Sequence, residues 1–209
     1  MPRAGDGLAY SGPMEELRPG LWYWCADHPQ WTTEDDLAEH QWGPEVTSYA
    51  MLLGDRLVLI DPVIPSGGLD DLLGDREVSA VLTCPWHARD SLILNVAVHA
   101  PPPEPEDTKP LPARNFSIGQ SPVPGITAFP GLEPMDLVLW VESHRALVFG
   151  DTLVDLGRGL ELPDDWGPSE VSHSDVLQTL RERLELPIEL ALPTHGLPAD
   201  RAAFERAVR

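Results

Sequence analysis

Apolar residues in this chain come in short runs of four to seven, separated by polar stretches rich in Gly, Pro and Asp. Runs of that length with Gly/Pro boundaries predict strands more often than helices. Residues 21–25 (Leu-Trp-Tyr-Trp-Cys) read as a first strand. Residues 47–53 and 57–60 are apolar runs split by Gly54-Asp55, a hairpin signal, and the second run stops at Asp61-Pro62, where proline ends pairing. A short helix over 69–73 and a buried strand over 78–83 follow. Residues 89–100 place Leu92, Ile93, Val96 and Ala97 on one helical face, which predicts a helix. Residues 126–129, 137–142 and 146–149 predict three more strands, with His144-Arg145 at the turn of the last pair. Ser174 is a plausible N-cap for a helix through Leu184 that turns Val176, Leu177 and Leu180 inward. A strand over 189–192 and a helix over 199–208 close the chain.

The remaining segments are loops. Residues 1–20 form an N-terminal extension along the surface, and residues 26–46 a long acidic loop carrying Trp31 and Trp42. Residues 101–124, opening with Pro101-Pro102-Pro103, form an extended Pro-rich insertion, and 154–171 another loop. There is no internal repeat. Residues 21–209 are therefore expected to form one domain. Its order of hairpin-linked strands and then alternating helix and strand suits two sheets packed face to face with helices outside.

Composition narrows the partners. The 209 residues carry a formal net charge of −20, a field that repels nucleic-acid phosphates and anionic lipid surfaces. No apolar run approaches the roughly 18–20 residues that span a bilayer, and the first 13 residues lack a signal-peptide core. The expected location is the cytoplasm, with neither nucleic acid nor membrane as partner. The two cysteines, Cys25 and Cys84, cannot make a disulfide framework and fit a reducing compartment.

Five segments carry a family resemblance over residues 47–196. These are the hairpin 47–62 ending in an Asp-centred turn, Val81-Leu82-Thr83, Phe129-Pro130-Gly131, Val148-Phe149-Gly150-Asp151-Thr152, and Leu192-Pro193-Thr194-His195-Gly196. In that order they resemble the metallo-β-lactamase superfamily, in particular its glyoxalase II-like branch. The resemblance implies an α+β fold, a four-layer αββα sandwich in a single domain. It also implies a metal-dependent hydrolase built from five histidines and two aspartates around two ions.

Measured against that pattern, the metal motif is degenerate. In the ungapped register Cys84 and Trp86 take the first two histidine positions, Ala88 and Arg89 the following Asp-His pair, and Leu132 the third histidine. Asp151 keeps the bridging carboxylate and His195 the last imidazole. If a helix starts near Trp86, His87 and Asp90 share a face. His87, Asp90, Asp151 and His195 then make a four-donor set for one divalent ion, zinc before others, with Cys84 as an alternative donor. His87 and Asp90 are also the candidate catalytic base or acid. Against this, Arg89 can take the place of a metal by pairing with Asp151 or Asp90. Cys84 also reads as a core thiol, Glu133 as an exposed carboxylate and Asp61 as a structural turn residue. Trp22, Trp24, Trp31, Trp42 and Trp86 are either core or the wall of an apolar pocket. His28, His40, His99, His144 and His173 carry no separable signal.

Three readings follow. One is a hydrolase with at most one metal, acting on a small ester, thioester or amide. The second is a non-catalytic relative that has lost metal and activity but binds a small molecule. The third is a partner-binding protein, for which a homodimer is compatible.

Overall fold

The computed structural model describes residues 12–31, 43–103, 111–164, 166 and 171–209; the expectations for Trp42 and His40 lie outside them. Two sheets form the frame. The first has seven strands in sequence order: β1 (Glu15–Arg18), β2 (Leu21–Asp27), β3 (Glu45–Leu53), β4 (Arg56–Ile60), β5 (Glu77–Val81), β6 (Ala97–Ala100) and β7 (Arg114–Asn115). The second has five. Its order is β12 (Ala199–Asp200), β11 (Leu190–Pro193), β10 (Ala146–Phe149), β9 (Leu137–Val141) and β8 (Ile126–Pro130). Strands β4 to β7 pair in parallel, as do β10 and β11, while the hairpin-linked pairs are antiparallel.

Strand periodicity explains the layering. Successive side chains point to opposite faces, so a strand apolar at every position must be covered on both. In β4, Val58 and Ile60 face the second sheet, while Leu57 and Leu59 pack outward with Trp24, Val63 and Leu69. In β9, Leu137, Leu139 and Val141 enter the same inter-sheet core. Val138 and Trp140 pack with Phe149 against α2 (His173–Glu182) and α3 (Arg201–Ala207), through Val176, Leu180 and Phe204. The short α1 (Asp70–Leu73) lies on the outer side of the first sheet. Helix, sheet, sheet, helix is the expected αββα order, in a single domain.

The hairpin is as expected: Leu53 pairs with Arg56 across Gly54-Asp55, and Gly54 takes φ +64°. The helix expected over 89–100 is absent. Residues 89–96 are turns and 97–100 form β6, parallel to β5. Leu92 and Ile93 are 45% and 71% exposed, and of the four residues expected on one face only Val96 packs against the core. Arg89 and Asn95 adopt positive φ (+41° and +53°), which a helix cannot accommodate. Helix α2 is capped by Ser172 rather than Ser174, its side chain accepting the Asp175 amide. Within the expected extension Glu15–Arg18 adds an edge strand, and within the expected insertion Arg114–Asn115 adds the opposite edge. Cys25 and Cys84 are both buried free thiols. No helix among the described residues is long and apolar enough to cross a membrane.

Candidate metal centre

Strand ends build the site. Asp61 follows β4, Thr83 and Cys84 follow β5, Gly150 and Asp151 follow β10, and Thr194 and His195 follow β11. The two sheets are fastened together here. The Tyr49 hydroxyl donates to the Pro193 carbonyl (2.7 Å), and the Thr47 amide to the Thr194 carbonyl (2.9 Å). Scaffold rigidity thus reaches the residues that carry the chemistry.

The loop after β5 makes one 3-10 turn, Pro85–Ala88, entered by Cys84 in extended conformation. That turn sends Cys84 and His87 into the protein, 0% and 3% exposed, and leaves Trp86 at the surface, 41% exposed. Fully buried Asp61 organises the interior side. Its Oδ1 accepts the Thr83 amide (2.9 Å), and its Oδ2 accepts both the Thr83 hydroxyl and His87 Nδ1–H (2.9 Å). With Nδ1 committed, His87 turns Nε2 the other way, 3.3 Å from Asp151 Oδ1 and 3.4 Å from His195 Nε2. His195 Nε2 lies 3.4 Å from the same Asp151 oxygen. The donor atoms of Cys84, His87 and Asp151 all lie within 4.8 Å of one another.

A second buried carboxylate, Asp136, supports Asp151 from behind. Its Oδ1 accepts the Asp151 amide and its Oδ2 the Thr152 hydroxyl, which in turn accepts the Leu132 amide. Gly150 permits this arrangement: a Cβ there would lie 2.5 Å from Asp136 Oδ1 and 2.6 Å from Thr83 Oγ1.

Electrostatics follow from three aspartates in a dry place. Burial would lower the His87 pKa, but Asp151 and Asp61 outweigh it and hold the imidazole up at about 9. Burial dominates at His195 and, with the positive charges of His87 and Arg89, pushes it down to about 3 against the pull of Asp151. Burial would raise Asp151, yet His87, His195 and Trp86 keep it well below the usual carboxylate range. Burial and the charge of Asp151 raise Asp136 to about 7. Burial, then Asp151, Asp61 and Asp136, raise the Cys84 thiol far above its ordinary value, so in the metal-free protein it keeps its proton.

Of the residues singled out from sequence, Cys84, His87, Asp151 and His195 come together. Asp90 does not join them. Its Oδ2 accepts the Ile64 amide (2.8 Å) and its own amide donates to the Pro62 carbonyl, tying the loop after β4 to the loop after β5. Without a helix, nothing places it on a face shared with His87. Nor does Arg89 take the place of a metal. Its guanidinium donates to the carbonyls of Thr47 and Asp61 (3.1 and 2.9 Å) and serves as a buried clasp between strand ends. Leu132 is buried among Val138, Phe149 and Leu180. Glu133 is not part of the donor cluster. Trp24 is core, its indole N–H on the Val63 carbonyl.

Two contributors, Thr83 and Asp136, escaped sequence reasoning, since they act only through residues brought beside them by parallel pairing and inter-sheet packing. Trp86, expected as core or as the wall of an apolar pocket, is instead 41% exposed and donates its indole N–H to Asp151 Oδ2 at 2.7 Å.

The donor set fits a cation. Asp151 Oδ1 is buried, accepts no well-formed hydrogen bond, and faces two imidazole nitrogens. Sulfur, imidazole nitrogen and carboxylate oxygen together suit zinc. A carboxylate behind an imidazole, as Asp61 stands behind His87, is the usual support of a metal-ligating histidine.

No family model matches the chain, and no curated protein matches it. Solved structures do. A metallo-β-lactamase from Erythrobacter litoralis superposes with a TM-score of 0.64 at 15% identity, over 93% of each chain. FIM-1 from Pseudomonas aeruginosa, a metallo-β-lactamase in its mono-zinc form, gives 0.65 at 14% identity, over 94% of this chain and 92% of its own. A metallo-β-lactamase from Hirschia baltica gives 0.61 at 16%, over 94% and 95%. The two packed sheets with a donor cluster at their shared edge define an α+β sandwich. More particularly, the fold is that of the metallo-β-lactamases.

Proposed function

We propose that this chain is a hydrolase of a small ester, thioester or amide that works with one divalent ion, zinc, held by Cys84, His87 and Asp151. The observation that carries this reading is the buried Asp151 Oδ1, which lacks a proper hydrogen-bond donor and has Cys84 and two imidazole nitrogens around it. When bound in such a site, zinc supplies Lewis-acid activation of water and of a carbonyl. The chain's own residues do the rest. Asp61 fixes the His87 tautomer so that Nε2 is the free donor, and Asp136 fixes the backbone of Asp151. His195 is uncharged and turns Nε2 toward the same Asp151 oxygen, where it can orient a water by hydrogen bonding. Three protein donors with an imidazole alongside would leave a fourth position for water or substrate, as a catalytic rather than structural zinc site requires.

The test is metal content of untagged protein supplied with zinc or manganese, followed by hydrolysis of an ester, thioester and amide panel. About one equivalent is expected, abolished in Asp151→Ala and Cys84→Ala. His195→Ala is expected to keep the metal and lose hydrolysis. A metal-free wild-type chain would refute the reading.

One observation favours a second reading. With its pKa at about 9, His87 is an imidazolium between Asp61 and Asp151, and the nearby Arg89 guanidinium adds a second positive charge. The imidazolium, ion-paired with both carboxylates, offsets charge at the site without a metal. A non-catalytic module that binds a small molecule would behave this way, giving ligand-dependent thermal shifts and no metal uptake.

A further inference from the structure

Trp86 occupies an odd place. It is the outward residue of the Pro85–Ala88 turn, and 41% of it meets solvent. An outward tryptophan ordinarily leaves its N–H to water. Here the indole folds back across 65 residues of sequence and donates to Asp151, whose side chain is only 15% exposed. The turn that carries it is pinned on both sides. Cys84 and His87 are buried, and Arg89, at φ +41°, is anchored through its guanidinium to the Thr47 and Asp61 carbonyls. The indole is thus presented by a rigid loop.

The two oxygens of Asp151 have different fates. Oδ2 takes the Trp86 N–H at 2.7 Å, a charge-assisted bond. Oδ1 is buried, without a donor of proper geometry, and faces His87 and His195. The Asp151 amide is meanwhile held by Asp136. Backbone and one oxygen are fixed, so turning the carboxylate to exchange its oxygens would break the indole bond.

We infer that Trp86 is a positioning residue for Asp151: its indole N–H occupies Oδ2, so that the carboxylate is held with Oδ1 turned to the donor cluster. The affinity part of this inference rests on the metal centre proposed above; the contact between indole and carboxylate does not.

Two measurements on the full, untagged chain test it. The first uses metal-free protein labelled with ¹⁵N-tryptophan. The chain has seven tryptophans, and the Trp86 indole signal is identified by its absence in Trp86→Phe. Asp151→Asn should move that signal upfield and leave the other indoles in place. An unmoved Trp86 signal overturns the inference whether or not any metal binds. The second is titration with zinc against a chromophoric chelator. Wild type should saturate at one equivalent, and Trp86→Phe should bind about 10- to 100-fold more weakly, the usual effect of removing a hydrogen-bond partner behind a metal ligand. Equal affinity in Trp86→Phe overturns the inference. No uptake by wild type refutes the hydrolase reading and the affinity part with it, while the indole resonance still decides the contact.

Discussion

Replacing Asp61 with asparagine probes the site from its buried side. Asp61 accepts three hydrogen bonds, from the Thr83 amide, the Thr83 hydroxyl and His87 Nδ1–H. It does so at φ +43°, a region asparagine tolerates as well as aspartate, so the exchange adds no backbone strain. Asparagine keeps one oxygen for the Thr83 amide and turns an NH2 group toward Thr83 and His87. The threonine hydroxyl can rotate and accept from it. His87, protonated on both ring nitrogens in the metal-free protein, meets that NH2 group with an N–H of its own and must give up the contact. Losing one bond to a charged partner and leaving one buried N–H strained amounts to about 3 kcal/mol. At about 2–4 °C per kcal/mol for a chain of this size, Tm should fall by about 6–12 °C. Zinc affinity at the proposed centre should also fall about 10- to 100-fold, because no acceptor then holds the neutral imidazole as the Nδ1–H tautomer that leaves Nε2 for the metal. Alanine is the poorer probe. It strands all three donors at about 1–3 kcal/mol each, which approaches the whole stability of an ordinary domain. Differential scanning fluorimetry and chelator competition read the two effects separately. An Asp61→Asn protein that melts within about 1 °C of wild type would refute the geometric argument, whatever the metal does.

Other consequences can be measured alongside. Gly150→Ala puts a methyl group against Asp136 and Thr83, so it should cost about 2–3 kcal/mol in urea denaturation, despite being a one-carbon change far from solvent. Phe204→Ala empties the contact between α3 and the second sheet, where Phe204 meets Phe149, and should cost about 3–5 kcal/mol with little effect on metal uptake. His144 gives a pH signature. Burial lowers its pKa, with Arg18 adding to the effect and the Leu52 carbonyl opposing it. Above the unfolded value of about 6.5 both states are neutral and stability is flat; as pH falls from there toward the lowered folded value, the unfolded chain protonates first and stability drops. His144→Gln should therefore flatten the acid limb just below about pH 6.5 in urea melts, and an unchanged slope would contradict the assignment.

Local pattern by itself determined the strands and much of their order. The hairpin around Gly54-Asp55 and the runs at 126–129, 137–142 and 146–149 were readable, to within a residue of the observed strands, because an element's period and its turn chemistry are local properties. The same is true of the residue types that could bind a metal: Cys84, His87, Asp151 and His195 stand out as donors after strand ends. What the sequence could not decide was which donors meet. Asp90 and His87 are three residues apart in the chain yet serve different partners, because a turn at Arg89 replaces the expected helix and β6 is held by parallel pairing with β5. Parallel pairing leaves no short-range signal, since its partners are joined by long crossovers. Asp61 reaches His87 only because β4 and β5 lie side by side, and Trp86 reaches Asp151 only because the two sheets pack face to face. Chain chemistry supplied the donor atoms; tertiary packing chose which of them share a point, and which of the two Asp151 oxygens is left open.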